Sequence, residues 1–280
     1  MMIRKLFIAA ILLVIIQCCA NAQYYYKDIL GTKQVIAERK TLQDQKKRTV
    51  VVKSFEADGN SSEGFFCEKK ISKDYRKIET YTKSLATGRS IVTSYFDKKG
   101  LLIKTTDSSE TNFSSITYIY DNKNNISVIT STSRSNDYDY VNSLVETRQY
   151  TYNDKSLPVK MMLTRNNKDS LEVDFTLDEK NNVSEEQEVA IYGKHYYYYY
   201  DDSSRITDIV RYNLVKQKVI PDFLFEYNDD GQLVQMIATE EGVSGNYYLW
   251  KYSYENNLRT EDKCFAKDKQ LQGYFQYEYQ

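Results

Sequence analysis

A single histidine, His195, limits the acid–base chemistry open to this chain. One imidazole excludes a site built from several, and leaves one candidate base for any Ser or Cys nucleophile. It lies between Lys194 and five consecutive tyrosines, Tyr196 to Tyr200, a setting that suits a strand residue better than a base. Gly242-Val243-Ser244-Gly245-Asn246 begins like a nucleophile elbow, but it lacks the last glycine and no strand-to-helix turn surrounds it, so it reads as loop. Glu226-Tyr227-Asn228-Asp229-Asp230-Gly231 imitates the opening of a calcium loop, yet Ile237 stands at the twelfth position, where a bidentate Glu is required. Asp and Glu together number 39, and no pair is singled out as a glycosidase would need. No catalytic residue, metal ligand or cofactor is expected.

The four cysteines divide into two pairs with different meanings. Cys18 and Cys19 close a segment that starts Met1-Met2-Ile3-Arg4-Lys5, runs through apolar Leu6 to Ile16 and ends Ala20-Asn21-Ala22. A basic start, a short apolar run and a small-x-small close predict a secretory signal over residues 1–22, cleaved after Ala22. The run is too short for a stable membrane anchor. The alternative is acylation at Cys18 or Cys19, although the residue before a lipidated cysteine is normally small and here is Gln17 or Cys18. Membrane attachment is expected only in that case. Cys67 and Cys264 remain after cleavage, in a compartment where a disulfide persists, and only one pairing is open to them. Sequence leaves their proximity undecided.

The whole chain carries a formal net charge of −1 with both signs interleaved, and no basic stripe of the kind nucleic acid requires. Export places the protein in the periplasm, at the outer-membrane surface or outside the cell. No Pro/Gly/Ser-rich linker breaks residues 23–280, which are expected to form one domain, less regular over 23–90 and repetitive over 91–280.

What would position any functional residue is a repeat: alternating aromatics, then Asp or Asn, a polar turn and an aliphatic strand. Its clearest copies are Tyr95-Phe96-Asp97-Lys98-Lys99-Gly100-Leu101-Leu102 and Tyr227-Asn228-Asp229-Asp230-Gly231-Gln232-Leu233. Anchored on the residue before the acid or amide, copies sit at 96, 120, 152, 177, 200, 227 and 254, a spacing of about 25 with one longer interval between 120 and 152. Asp and Asn fold back on their own backbone, and Gly, Asn or Ser three residues later takes the left-handed conformation of a tight turn. Upstream aromatics such as Ile116, Tyr118, Tyr120 recur every second residue, as does the downstream set Ile126, Val128, Thr130 or Leu233, Gln235, Ile237. Each copy is therefore a hairpin. The fold expected is all-β, a long antiparallel meander forming a strongly curved open sheet or something barrel-like. Pro158 and Pro221 fall at strand edges, where no ladder N–H is needed. Gln34 to Lys46 fits helix or strand equally by propensity.

Alternation places Tyr196, Tyr198 and Tyr200 on one face, with Tyr197 and Tyr199 on the other; Tyr248, Trp250 and Tyr252 form a second inward-or-outward set. Two readings stay open for these six residues: aromatic ladders that fill a thin core, or a platform that stacks on a ligand such as a glycan.

The Tyr-Asn-Asp-Asp-Gly-Gln-Leu stretch at 227–233 and its relaxed copies resemble the YD or Rhs-type repeat of bacterial envelope and secreted proteins. The chain is also similar to small exported Gram-negative proteins of unknown function described as porin-like. The resemblance implies an extracytoplasmic antiparallel β architecture with binding or structural roles, and it supplies no catalytic residues. The expected function is an extracytoplasmic binding or scaffold protein whose partner is a glycan or another envelope component. The alternatives are an enzyme acting on envelope polysaccharide and an outer-membrane β-barrel, against which Val183, Glu185, Gln187 and Val189 offer no lipid-ready face.

Overall fold

The structure, a computed structural model, describes residues 24–136, 143–240 and 245–280. The expected leader, with Cys18 and Cys19, and residues 242–244 of the glycine-serine loop lie outside the described residues. Helix α1 (Lys27–Asp44) is followed by β1 (Thr49–Glu56), β2 (Phe66–Ile71), β3 (Lys77–Ser84), β4 (Gly88–Phe96), β5 (Leu102–Ser109) and β6 (Asn112–Tyr120). Then come β7 (Ile126–Ser135), β8 (Ser143–Tyr152), β9 (Pro158–Arg165), β10 (Asp169–Leu177), β11 (Val183–Glu188) and β12 (His195–Tyr200). The remaining strands are β13 (Ile206–Asn213), β14 (Lys218–Tyr227), β15 (Leu233–Thr239), β16 (Tyr247–Glu255), β17 (Leu258–Ala266) and β18 (Leu271–Tyr279).

Every strand pairs antiparallel with its neighbours in sequence, and β18 pairs back onto β1 in a register running from Val50↔Tyr279 to Glu56↔Gly273. The meander is thus closed into a barrel, settling the choice between an open sheet and a closed one.

The repeat turns line one rim. Asp97 Oδ1 accepts the N–H groups of Lys99 at 2.9 Å and Leu101 at 2.8 Å, and Asp121, Asn153, Asp178, Asp201 and Asn228 receive backbone N–H groups in the same way. Three residues on, Gly100, Asn124, Ser156, Asn181, Ser204 and Gly231 all adopt positive φ, between 58° and 88°. Asn and Gly tolerate that region, and the Asx contacts hold serine there as well.

Each turn brings a register shift on its leading strand, at Tyr95/Phe96, Ile119/Tyr120, Thr151/Tyr152, Thr176/Leu177, Tyr199/Tyr200, Glu226/Tyr227 and Ser253/Tyr254. These bulges add local twist and curve the sheet toward closure. They also shift the parity of the strand that follows, which corrects the simple alternation expected there. Ile126 and Ile129 are the buried pair, rather than Ile126 and Val128, while Leu233 packs with Met236 and Ala238 instead of Ile237. Pro158 opens β9 opposite one such bulge, and Pro221 pairs across another, between Ile209 and Val210.

The repeat tyrosines connect one hairpin to the preceding one. Tyr120 donates its hydroxyl to the Leu102 carbonyl at 2.7 Å, Tyr152 to Ile126 at 2.8 Å, Tyr200 to Val183 at 2.7 Å, Tyr227 to Ile206 at 2.9 Å and Tyr254 to Leu233 at 2.9 Å. In each case the acceptor is the aliphatic residue that begins the strand after the previous turn. Outside this line, Lys99, Lys123, Lys155, Lys180, Arg205 and Gln232 each reach an acceptor in the next turn along the rim.

The segment left between helix and strand by propensity is helical, as part of Lys27–Asp44. A closed ring offers its interior no free edge to pair with, so a segment packed inside must satisfy its own backbone, which a helix does. It ends in a Schellman turn: Lys46 takes φ +55°, and the N–H groups of Lys47 and Lys46 reach the carbonyls of Leu42 at 2.8 Å and Gln43 at 3.0 Å. At 1.5 Å per residue its 18 residues span about 27 Å. Its first turn meets β8, β10, β11 and β12, whereas its last turns meet β2 and β4 across the ring.

Tyr227→Phe removes one connecting hydroxyl without altering ring packing. It is expected to lower stability by about 1 kcal/mol in urea unfolding; an unchanged midpoint would show that the Ile206 carbonyl finds another donor.

Candidate functional site

The chemically richest place in the molecule is where the start of α1 enters the ring. Glu186, projecting inward from β11 at 1% exposure, accepts the backbone N–H of Tyr25 at 2.6 Å on one oxygen. The other oxygen accepts the Tyr26 N–H at 2.7 Å and the Tyr198 hydroxyl at 2.8 Å. These are unpaired N–H groups at the start of a helix, where a carboxylate also meets the positive end of the helix dipole. One turn later, Asp28 accepts from Arg148 on β8 at 2.6 Å and from the Tyr150 hydroxyl at 2.7 Å, and Arg148 donates onward to Ser131 at 2.8 Å. A buried acid, Glu186, and a partly buried one, Asp28, therefore clamp the helix to the wall from two directions.

Burial pushes the Glu186 carboxyl up from its usual value of 4.5 to about 7, against the opposing pull of its three donors, and nearby Asp28 raises it further. Burial likewise drives the Tyr198 and Tyr150 hydroxyls well above their ordinary range, with the adjacent carboxylates adding to the effect.

The far end of the helix is held differently. Arg39 donates to the Tyr75 carbonyl at 2.7 Å with its guanidinium 5.4 Å from the Phe96 ring, and Glu38 pairs with Lys69 of β2. Leu42 packs among Val50, Ile71 and Tyr75. Beside it Arg259 pairs with Asp262 at 3.2 Å, and Tyr277 donates to the same carboxylate at 2.6 Å.

The aromatic residues singled out from the sequence point inward. Tyr196, Tyr198, Trp250 and Tyr252 are buried, and Tyr200 and Tyr248 are half-buried. Tyr24 lies against Tyr196 and Tyr198 at ring-centre distances of 5.8 and 6.0 Å, and Tyr26 against Tyr198 at 5.3 Å. Trp250 stacks on Phe275 at 6.4 Å. Tyr196 and Tyr198 are thus covered by the chain's own N-terminal aromatics, and Trp250 and Tyr252 pack with Met236 and Phe275 in a second core cluster. Closing the ring turned the side of the sheet that carries these six positions inward.

Cys67 and Cys264 are free, buried thiols of one hydrophobic cluster. Strands β18 and β1 lie between theirs, a step of about 14 Å at the usual strand spacing and beyond disulfide reach. The bridge weighed from the sequence is not formed, and closure rests on the β1–β18 ladder. Burial raises both thiols above their usual range.

The residues that sequence reasoning passed over are on the other side of the same tyrosine run. His195, Tyr197 and Tyr199 face outward on β12, and Glu185 of β11 accompanies them. The His195 ring stacks on Tyr197 at 4.3 Å; its Nε2 lies 3.0 Å from Glu185 Oε2 and its Nδ1 lies 3.2 Å from the Tyr197 hydroxyl. Tyr199 and, on β13, Tyr212 are exposed beside them. Alternation alone carried this signal, since it put Tyr197 and Tyr199 opposite the three rings that were chosen. Glu186 was harder to find, because the bulge beside Leu177 inverts the parity of β11 and brings in an acid that counting from Val183 sends out. Among the described residues no group of three His, Cys, Asp or Glu side chains is placed to hold a metal ion.

No family model matches the chain. No curated protein matches it either. Among solved structures it is similar to a porin-like protein from Bacteroides uniformis at 8% identity, covering 84% of this chain and 98% of that one with a TM-score of 0.37. A porin-like protein from Bacteroides vulgatus matches at 12% identity over 84% of this chain and 98% of that one, with a TM-score of 0.29. TcdB2-TccC3 without its hypervariable C-terminal region matches 78% of this chain at 14% identity and a TM-score of 0.36, and the chain spans only 12% of its length.

The folded state holds the Glu186 proton more tightly than the unfolded chain does. Its contribution to stability is therefore fully present below about pH 4.5 and is lost as the pH rises through 7. The urea midpoint is expected to fall between about pH 5 and about pH 8, and Glu186→Gln to flatten that fall. Identical pH slopes for the two proteins would show that Glu186 does not titrate in the folded barrel.

Proposed function

We propose that the chain is an extracytoplasmic binding or scaffold protein that works through its outer wall, its interior serving stability. The observation that carries this reading is that Tyr196 and Tyr198 are covered by Tyr24 and Tyr26, whereas on the outer face of β12 and β13 the half-buried His195 and Tyr197 are flanked by the exposed rings of Tyr199 and Tyr212. Export is supported by the leader pattern at residues 1–22.

The partner proposed for that wall is a glycan of the cell envelope. Exposed tyrosine faces stack on sugar rings, and Glu185 with His195 supplies hydrogen-bonding groups at their edge. This keeps the class of partner expected from the sequence and moves it to the opposite face of β12. No turnover is proposed; the His195 ring is engaged by Glu185 and Tyr197.

The wall also bears on the membrane-barrel alternative. Exposed ion pairs run over it, Lys77–Glu79, Lys160–Glu172, Lys263–Glu261 and Lys53–Glu278 among them. A lipid-facing barrel carries an apolar band flanked by aromatic girdles, and charges at mid-height are costly there. An aqueous surrounding for the wall fits these residues better.

The test is retention of the protein on immobilised envelope polysaccharides in affinity electrophoresis. Tyr199→Ala and Tyr212→Ala are each expected to weaken retention roughly threefold to tenfold while leaving thermal unfolding unchanged, the range of a single aromatic contact. Absence of retention on every polysaccharide, or retention indifferent to both substitutions, removes the glycan reading.

A further inference from the structure

The rim opposite the repeat turns carries a feature that neither the barrel nor the proposed wall site uses. At the apex of the β11–β12 connection Ile191 is 93% exposed and Tyr192 83%; at the apex of the β13–β14 hairpin Val215 is 93% exposed and Leu214 also projects. β12 and β13 are paired, so the two apices stand about 10 Å apart at ordinary strand spacing. Val189 lies exposed at the base of the first, and the cross-strand pair Tyr212↔Val219 at the base of the second.

The turns do not need these side chains. In the first connection Glu188 accepts the Lys194 N–H at 2.9 Å and Gly193 donates to the Ala190 carbonyl at 3.0 Å, with Gly193 so close that a Cβ would lie 2.1 Å from the Glu188 carbonyl oxygen. In the second, Asn213 accepts the Lys216 N–H at 2.8 Å, and Gln217 supplies the positive φ. Glu188, Gly193, Asn213 and Gln217 make the bends; Ile191, Tyr192, Leu214 and Val215 are surplus to them. Clustered exposed apolar side chains of this kind mark a contact surface.

We propose that this rim docks on an anionic lipid surface, inserting the two apices to the depth of the headgroups. The shape favours lipid over a folded partner, because the apolar groups stand on convex tips, whereas a protein interface presents a packed patch. The chemistry agrees: aliphatic tips with a tyrosine beside them suit the headgroup boundary, and the exposed Lys216 and Lys218 flank the second tip with positive charge. Among the described residues near these loops, Glu188 accepts the Lys194 N–H and Glu240 accepts from the Asn246 side-chain amide. Such docking is weak and reversible, and it requires neither the leader nor Cys18 or Cys19.

The test uses residues 23–280, which contain the closed ring and its helix entire, sedimented with sucrose-loaded vesicles of phosphatidylglycerol or of phosphatidylcholine. The protein is expected to pellet with the phosphatidylglycerol vesicles. The Ile191→Asp/Val215→Asp pair is expected to reduce that binding at least roughly tenfold, and Lys216→Gln/Lys218→Gln to reduce the preference for the anionic vesicles. Ile191→Trp is expected to strengthen binding. All four positions are exposed, and an unchanged thermal midpoint confirms that each variant folds. No pelleting with either vesicle, or pelleting unaffected by the aspartate pair, overturns the proposal. So does self-association in lipid-free solution that the aspartate pair abolishes, since that outcome makes the rim a protein interface.

Discussion

The contact on which the architecture turns is the hydrogen bond from a repeat tyrosine to the carbonyl that opens the strand after the preceding turn. It recurs at Tyr120, Tyr152, Tyr200, Tyr227 and Tyr254, and at the end of the chain Tyr279 donates to the Arg259 carbonyl at 2.7 Å. A bulge leaves backbone groups out of the ladder, and a buried carbonyl without a donor costs about 1–3 kcal/mol. The tyrosine hydroxyl satisfies that carbonyl while its ring fills the inner face. This is why the repeat uses tyrosine where phenylalanine would pack equally well: the residue is needed for its ring and for its reach. Leu177 stands in the tyrosine position of its repeat, and there the corresponding acceptor would be the carbonyl of Pro158.

Closing the ring has a consequence for the N-terminal segment. With β1 paired to both β2 and β18, no edge remains inside for a further strand, and a helix with its own backbone bonds is what the interior accommodates. Its ends are attached by different means: the carboxylates of Glu186 and Asp28 gather the N-terminal turn, and cation–aromatic and apolar contacts through Arg39 and Leu42 receive the other. A helix that touches β8 to β12 at one end and β2 and β4 at the other ties opposite arcs of the ring together. Buried charges are a weak source of net stability, because desolvation opposes their attraction, yet they are selective about position. Glu186 specifies that the donors at Tyr25 and Tyr26 arrive at one place on β11.

Much of this was legible from residues alone. The hairpins, their turns, the spacing of about 25 and the all-β class follow from Asp or Asn, a positive-φ residue three positions on, and flanking alternation, all of which are local. Closure was not legible, since it depends on whether curvature accumulated over the whole sheet brings β18 to β1, a property of no single repeat. Neither was the face of each strand: one extra residue at every bulge inverts parity, so counting from Val183 or Ile126 sends Glu186 and Ile129 to the wrong side. The helix was ambiguous because Gln34 to Lys46 has no strong apolar stripe, and only Arg39 and Leu42 of that stretch are buried against the ring. For the aromatic sets of β12 and β16, alternation grouped the rings by face, but which face turns inward is decided by closure of the whole sheet.

The two rims of the barrel are under unequal constraint. At the repeat rim most turns are bound by their own Asx contacts, by a tyrosine reaching back or by a lysine, arginine or glutamine reaching forward, so a change of length or residue there breaks several bonds at once. At the other rim the connections are free to differ, from the tight Glu110-Thr111 link between β5 and β6 to the longer excursion over residues 189–194. Loops freed from structural duty are where a rigid scaffold places recognition. In this barrel the exposed Ile191, Tyr192, Leu214 and Val215 stand on that free rim, with His195 and Tyr212 nearest to it on the outer wall and Tyr199 toward the repeat rim.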